Sequence, residues 1–203
     1  MFLPCSPCCR LCPADDSDGE GTYFETDLKD TSLETPSRWL TDSVSFGSSG
    51  LSFSNGYATR CTFIDLTRDS EIEIQVTAAT AGSTFAIHLN ARAFSSNPFG
   101  GTGGNYVWCQ HNPPTFVGLR DIAGYVYTGT VTDPGTTNVA YVVKYRYTAG
   151  SWFASFRVGG VVAFSDVAVP RFSLENSVFY HGVQGTNDAK LFSRYYMKLT
   201  YTS

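Results

Sequence analysis

An all-β sandwich is predicted for this chain by strict alternation of apolar and polar side chains, by tight-turn signals between the alternating runs, and by composition. From Val139 the positions Val139, Tyr141, Val143, Tyr145 and Tyr147 are apolar or aromatic, while Lys144, Arg146 and Thr148 fall between them. That period of two belongs to a half-buried strand. After the turn chemistry of Thr148-Ala149-Gly150-Ser151, Trp152, Ala154, Phe156 and Val158 share one face and Ser155 and Arg157 the other. Gly159-Gly160 then reads as a two-residue hairpin loop, because both positions take positive φ without a Cβ clash. Val161 to Phe164 returns as a third strand, so residues 138 to 167 form a meander. Aromatics at 15%, charged residues at 16% and 19 glycines favour strands and turns over helix surfaces.

A chain of 203 residues suffices for one well-buried core. A formal charge of −4 and a pI near 5.3 lack the basic footprint of a nucleic-acid binder, so no nucleic acid is expected as partner. Neither a basic-then-apolar export signal nor a run of roughly eighteen apolar residues is visible, so no membrane insertion is expected.

The first 22 residues read as a Cys-rich and acidic arm, and residues 23–203 as the sandwich. In MFLPCSPCCRLCP the cysteines Cys5, Cys8, Cys9 and Cys12 form CxxCCxxC, and prolines at 4, 7 and 13 exclude a regular helix or central strand. Four thiolates can hold tetrahedral zinc, but adjacent Cys8 and Cys9 lack the intervening loop of ordinary zinc ribbons. Zinc therefore stays open beside disulfides, intermolecular cross-links or free thiols. Ala14 to Glu25 follows the spacing of an EF-hand loop, yet Ala14 stands where the first ligand is needed, which reads as an acidic linker.

From Phe24 the order FETDLKDTSLETPSRWL, VSFGSSGLSFSNGYA, DSEIEIQVT, FAIHLNARAF and SWFASFRVGGVVAF resembles the concanavalin-A-like modules of lectins, laminin-G domains and glucanases, in the divergent form of bacterial surface and phage structural proteins. The resemblance implies an antiparallel jelly-roll β-sandwich. It also directs attention to Glu71, Glu73 and Gln75, since catalytic members carry a nucleophile, a helper acid and an acid/base on alternate positions of one strand. Gln75 neither donates a proton as a carboxylic acid nor regenerates a base, so the third role is empty and catalysis is not expected. In lectins of this kind, loops at one edge of the sandwich hold sugar on an aromatic platform with amide or carboxylate partners. By that analogy Phe99, Asn105, Tyr106 and Trp108, in and after the Gly-rich stretch SSNPFGGTGGN, are the candidate carbohydrate-binding residues.

Cys61 and Cys109 are read either as a disulfide across neighbouring strands or as buried free thiols. Paired prolines 113 and 114 end the run that holds Cys109, Phe116 to Val131 gives two short strands around Ala123-Gly124, and Asp133-Pro134-Gly135 is a turn. The last run, LFSRYYMKLTYTS, is read as a strand that closes the sandwich by pairing with the first. His88, His111 and His181 are dispersed without metal-ligand spacing, and no GxSxG elbow occurs.

The reading that follows is a non-enzymatic, surface-exposed structural or adhesive subunit of a virion, such as a phage decoration or tail protein, or of another extracellular assembly. Its arm attaches it to copies of itself or to other particle subunits, with a surface glycan as a further partner. The alternative is a stand-alone carbohydrate-binding lectin module, and the third reading a diverged glucan hydrolase.

Overall fold

The computed structural model describes residues 23–29, 39–78, 84–90, 104–110, 115–121, 123–132, 138–172, 174, 177–185 and 191–202; for 23–25, 40, 104–110 and 115 it describes the backbone alone. These residues form strands β1 (Tyr23–Asp27), β2 (Leu40–Gly47), β3 (Gly50–Phe63), β4 (Asp69–Ala78), β5 (Thr84–Asn90), β6 (Gly104–Gln110) and β7 (Thr115–Asp121). The chain continues through β8 (Gly124–Val131), β9 (Val139–Thr148), β10 (Ser151–Val158), β11 (Val161–Ala168), β12 (Val178–Gly185) and β13 (Phe192–Thr202).

All pairings are antiparallel, and one path runs β11-β10-β9-β4-β13-β3-β12-β5-β6-β7-β8, with β1 added to β13 and β2 to β3. Among the described residues a single register pair, Phe192↔Leu51, joins β13 to β3. The path therefore divides into a seven-stranded layer, β2-β3-β12-β5-β6-β7-β8, and a six-stranded layer, β1-β13-β4-β9-β10-β11. At the opposite margin Tyr127 of β8 donates its hydroxyl to the Ala163 carbonyl of β11 at 3.0 Å. The first and last strands pair as the sequence predicts, with Tyr23 opposite Lys198.

Alternation explains why the layers close on each other. Phe85, Ile87 and Leu89 of β5 face Tyr141, Val143 and Tyr145 of β9 across a core in which all six are fully buried. The Phe85 ring meets Tyr141 at 4.8 Å and Phe192 at 5.0 Å, both edge to face, and Trp39 meets Tyr195 edge to face at 5.2 Å. Each such ring removes enough apolar surface from water to stabilise the fold by about 2–3 kcal/mol. The predicted meander is present, and Gly159 and Gly160 both have positive φ, at 57° and 85°, matching the twist of the flanking strands.

One polar network crosses the core. His181 receives a hydrogen bond at Nδ1 from the Tyr195 hydroxyl at 2.6 Å, and its Nε2 meets the Thr62 hydroxyl at 3.1 Å. Burial holds the imidazole well below its ordinary pKa and the Tyr195 phenol well above its own. The phenol is thus the donor at Nδ1, and the neutral ring donates from Nε2 to Thr62.

The cysteine expectation needs correction. Cys61 is disulfide-bonded, but β12 and β5 lie between β3 and β6, a lateral separation of roughly 14 Å at ordinary strand spacing. Cys61 is also in the register of Tyr180 and Cys109 in that of Phe85, on opposite faces of the layer. A disulfide needs Cα atoms within about 7 Å, so these two cysteines do not pair. The other cysteines, Cys5, Cys8, Cys9 and Cys12, lie outside the described residues. A non-reducing peptide map is expected to recover no Cys61–Cys109 peptide; finding one would contradict the strand order.

Candidate functional site

The face of the seven-stranded layer turned away from the core carries the chemistry. Because Phe85, Ile87 and Leu89 point inward, Ala86, His88 and Asn90 take the other face, as do Tyr180, Gly182 and Gln184 of β12. One transverse row crosses every strand: Asp42, Tyr57, Gln184, Ala86, Trp108, Gly118 and Thr128. A second row runs Leu40, Thr59, Gly182, His88, Tyr106, Arg120 and Tyr125, and a shorter third one Cys61, Tyr180, Asn90 and Gly104.

The middle of this face is polar yet shut off from water. Thr59, His88 and Gln184 have no exposure, and Asn90 has 2%. Thr59 donates its hydroxyl to the His181 carbonyl at 3.2 Å, so it accepts from His88 Nε2 at 3.1 Å. Burial drives the His88 pKa down to about 3, and the ring stays neutral. Gly182 permits the close approach beneath, since an added Cβ would run into the Ala58 carbonyl and stand 2.9 Å from Thr59 Cα. Both amide atoms of Gln184 and the Oδ1 of Asn90 are buried without a hydrogen-bond partner among the described residues. A buried polar atom left unpaired costs about 1–3 kcal/mol, so this row asks for an explanation beyond packing.

Toward β7 and β8 the same face becomes aromatic and open. The ladder shifts between Leu119↔Tyr127 and Arg120↔Tyr125, leaving Val126 as the extra residue. Val126 and Tyr127 pack against the core, while Tyr125 is turned out and is 55% exposed; re-aiming a side chain in this way is a common use of a β-bulge. Gly118 makes room for the ring, since a Cβ there would lie 3.1 Å from it, and the Arg120 guanidinium sits 5.5 Å from the ring centroid. Phe116 is 44% exposed beside it. Together with Val117, Thr128, Gly129 and Thr130 these two rings line a groove of about 280 Å³.

Of the residues singled out in sequence, Tyr106 and Trp108 take register positions on this face, opposite His88 and Ala86, whereas Asn105 takes the position opposite inward-facing Leu89. Their side chains, and the whole of Phe99, lie outside the described residues. Sequence reading missed Gln184, His88 and Asn90 as a group because alternation alone assigns the non-core side of a strand to solvent. It missed Tyr125 and Arg120 because a bulge decides where they point.

Glu71 and Glu73 project from the outer face of the other layer, where Lys144 Nζ binds Glu71 at 2.7 Å and Glu73 at 3.1 Å. The ammonium is shared between two carboxylates across adjacent strands, which raises the Lys144 pKa chiefly through the Glu71 hydrogen bond. Both acids are engaged in an ion-pair cluster. At the β7–β8 turn, Asp121 Oδ1 accepts from the Ala123 and Gly124 amides at 2.8 and 3.2 Å, and Oδ2 is buried without a partner among the described residues.

Solved structures with a similar arrangement include lectin domains. The VIP36 exoplasmic/lumenal domain in its Ca2+/Man3GlcNAc-bound form matches 81% of this chain and 84% of its own, with a TM-score of 0.57 and 11% identity. The fold is the concanavalin-A-like jelly roll. The Emp47p carbohydrate recognition domain shares it over 93% of this chain and 100% of its own, with a TM-score of 0.57 and 12% identity. Metal-free lectin I-B4 from Griffonia simplicifolia does so over 90% and 100%, with a TM-score of 0.57 and 11% identity. No protein-family model and no curated protein matches the sequence. VIP36 is represented in Ca2+-bound and metal-free forms. In this chain no group of three or more His, Cys, Asp or Glu among the described residues is arranged to hold a metal. The described residues make no calcium cage, and the zinc expectation at Cys5, Cys8, Cys9 and Cys12 lies outside the described residues.

Proposed function

We propose that this protein is a non-catalytic carbohydrate-binding module that takes glycan on the outer face of its seven-stranded layer. The observation that carries the reading is the exposed pair Tyr125 and Phe116, set over glycine and flanked by threonine hydroxyls, on the face that also holds the buried amide row. Aromatic rings offer apolar area to the C–H face of a pyranose, and hydroxyl and amide groups take its O–H groups. Support also comes from the neighbours, whose bound forms include mannose and Man3GlcNAc. Trp108 and Tyr106 extend the platform toward β5 in this reading, with Phe99 as a loop partner, while Asn105 of β6, in register with inward-facing Leu89, is left out of it. The empty third carboxylate position at Gln75 and the Lys144-bound Glu71 and Glu73 argue against a glucan hydrolase.

A glycan array followed by titration calorimetry tests the proposal. Tyr125→Ala and Trp108→Ala are each expected to weaken a glycan that the native protein binds by about tenfold, the loss of roughly 1.4 kcal/mol. An array with no saturable binding sinks it. Attachment through residues 1–22 to a virion or other extracellular assembly is the second reading, and sizing under reducing and oxidising conditions, with and without residues 1–13, tests it.

A further inference from the structure

We infer that the groove between Phe116 and Tyr125 holds one pyranose on edge, with an aromatic ring against each of its faces, and so selects β-anomeric sugars whose hydroxyls are all equatorial. The inference rests on the carbohydrate-binding proposal and adds to it the stereochemistry of the ligand. Register accounts for every residue of the groove. One wall is the pair Phe116↔Thr130 and the other the pair Gly118↔Thr128, two positions along β7, with Val117↔Gly129 between them as the floor. Gly118 has no side chain, and the Tyr125 ring takes that place: an added Cβ would meet Tyr125 Cε1 at 3.1 Å and Cδ1 at 3.3 Å. Val117 is turned into the core and Gly129 carries no side chain, so the floor is backbone. Each wall therefore offers an exposed aromatic residue over β7 and an exposed threonine hydroxyl on β8.

The spacing of the walls fits a ring between them. Two residues of antiparallel strand span roughly 7 Å, and side chains stand about perpendicular to the sheet. Carbon atoms in contact lie about 3.5–4.0 Å apart, so a ring with a wall on either face needs about 7–8 Å. The groove, about 280 Å³, is just smaller than the roughly 300–1,000 Å³ of sites for drug-sized ligands, which limits its occupant to one ring. Aromatic faces accept C–H groups and leave a hydroxyl pointed at them unpaired. A β-glucopyranoside or β-xylopyranoside has axial C–H alone on both faces and its hydroxyls around the rim, where Thr128 and Thr130 can take them. The axial O4 of a galactoside or O2 of a mannoside puts a hydroxyl on one face, and the axial anomeric oxygen of an α-glucoside puts an oxygen on the other. None of the residues lining the groove is charged, which favours a neutral sugar over an anionic one.

The test is titration of native protein, Phe116→Ala and Tyr125→Ala with methyl β-glucopyranoside, methyl α-glucopyranoside and methyl β-galactopyranoside, followed by chemical-shift changes, with thermal unfolding of all three proteins. Native protein is expected to bind the β-glucoside about tenfold more tightly than either of the others. Stacking on one face alone would spare one of the two, so equal affinity for the β-glucoside and either competitor overturns the inference. Each variant removes one wall at an exposed position, and Tm is expected to hold. Affinity for the β-glucoside should fall about tenfold in both, and in each variant the preference over one competitor should shrink, over the galactoside in one and over the α-glucoside in the other. Preferences that survive unchanged in both variants would place the discrimination outside this groove and overturn the inference, as would native protein that binds array glycans but none of these glycosides. If native protein binds no glycoside and no glycan on the array, the carbohydrate proposal itself falls, an outcome distinct from binding that ignores the two walls.

Discussion

Phe85→Ala is expected to lower the unfolding free energy by about 3–5 kcal/mol, the range for truncating a fully buried aromatic whose surroundings cannot collapse. Phe85 has no exposure and holds Tyr141 and Phe192 edge to face. Those contacts come from both strands flanking β4 in the opposite layer, β9 and β13. The cavity would therefore open between layers rather than within one. Urea unfolding followed by tryptophan fluorescence measures it, and a change below about 1 kcal/mol would show that the layers do not pack through this ring. Phe116→Ala, at an exposed site on β7, is the matched control and should cost far less.

Acid should weaken the fold well before carboxylate protonation is complete. His88 is held neutral with its pKa down at about 3 against an ordinary 6.5, and His181 is depressed in the same direction, both through burial first. The unfolded chain takes up these protons below about pH 6.5 while the folded chain does not. Stability is thus fully present above that pH and falls as the pH drops toward 3. Each histidine contributes about 1.4 kcal/mol per pH unit within its window, so His88 alone accounts for on the order of 5 kcal/mol across it. Denaturant midpoints between pH 7 and 4 give the slope, and His88→Gln should reduce it by about half. A flat profile over that interval would mean that both rings reach protons in the native state.

The meander was legible because its signals are local: alternation from Val139 to Val158 sets the faces, and Gly159-Gly160 sets the return. The first turn was legible by composition but not in its backbone, since Ala149 as well as Gly150 adopts positive φ. The faces of β5 and β12 were only half legible. Period two separates Phe85, Ile87 and Leu89 from Ala86, His88 and Asn90 correctly, but it carries no information about whether the second set meets water, and here every one of the six is buried. The site on β7 and β8 depends on one inserted residue, Val126, in a ladder whose register is fixed by long-range pairing. Cys61 illustrates the same limit: strands distant in sequence and order, not spacing, decide which thiols can meet.

The pairing of β1 with β13 also governs when the protein can finish folding. Strand β13 is the shared neighbour of β1, β4 and, through one residue pair, β3. On a ribosome β1 would wait, with its hydrogen-bonding edge unmet, until β13 had emerged. Such high contact order implies slow assembly that waits for this strand, and it makes loss of the eleven residues of β13 a failure of the entire body rather than of one edge.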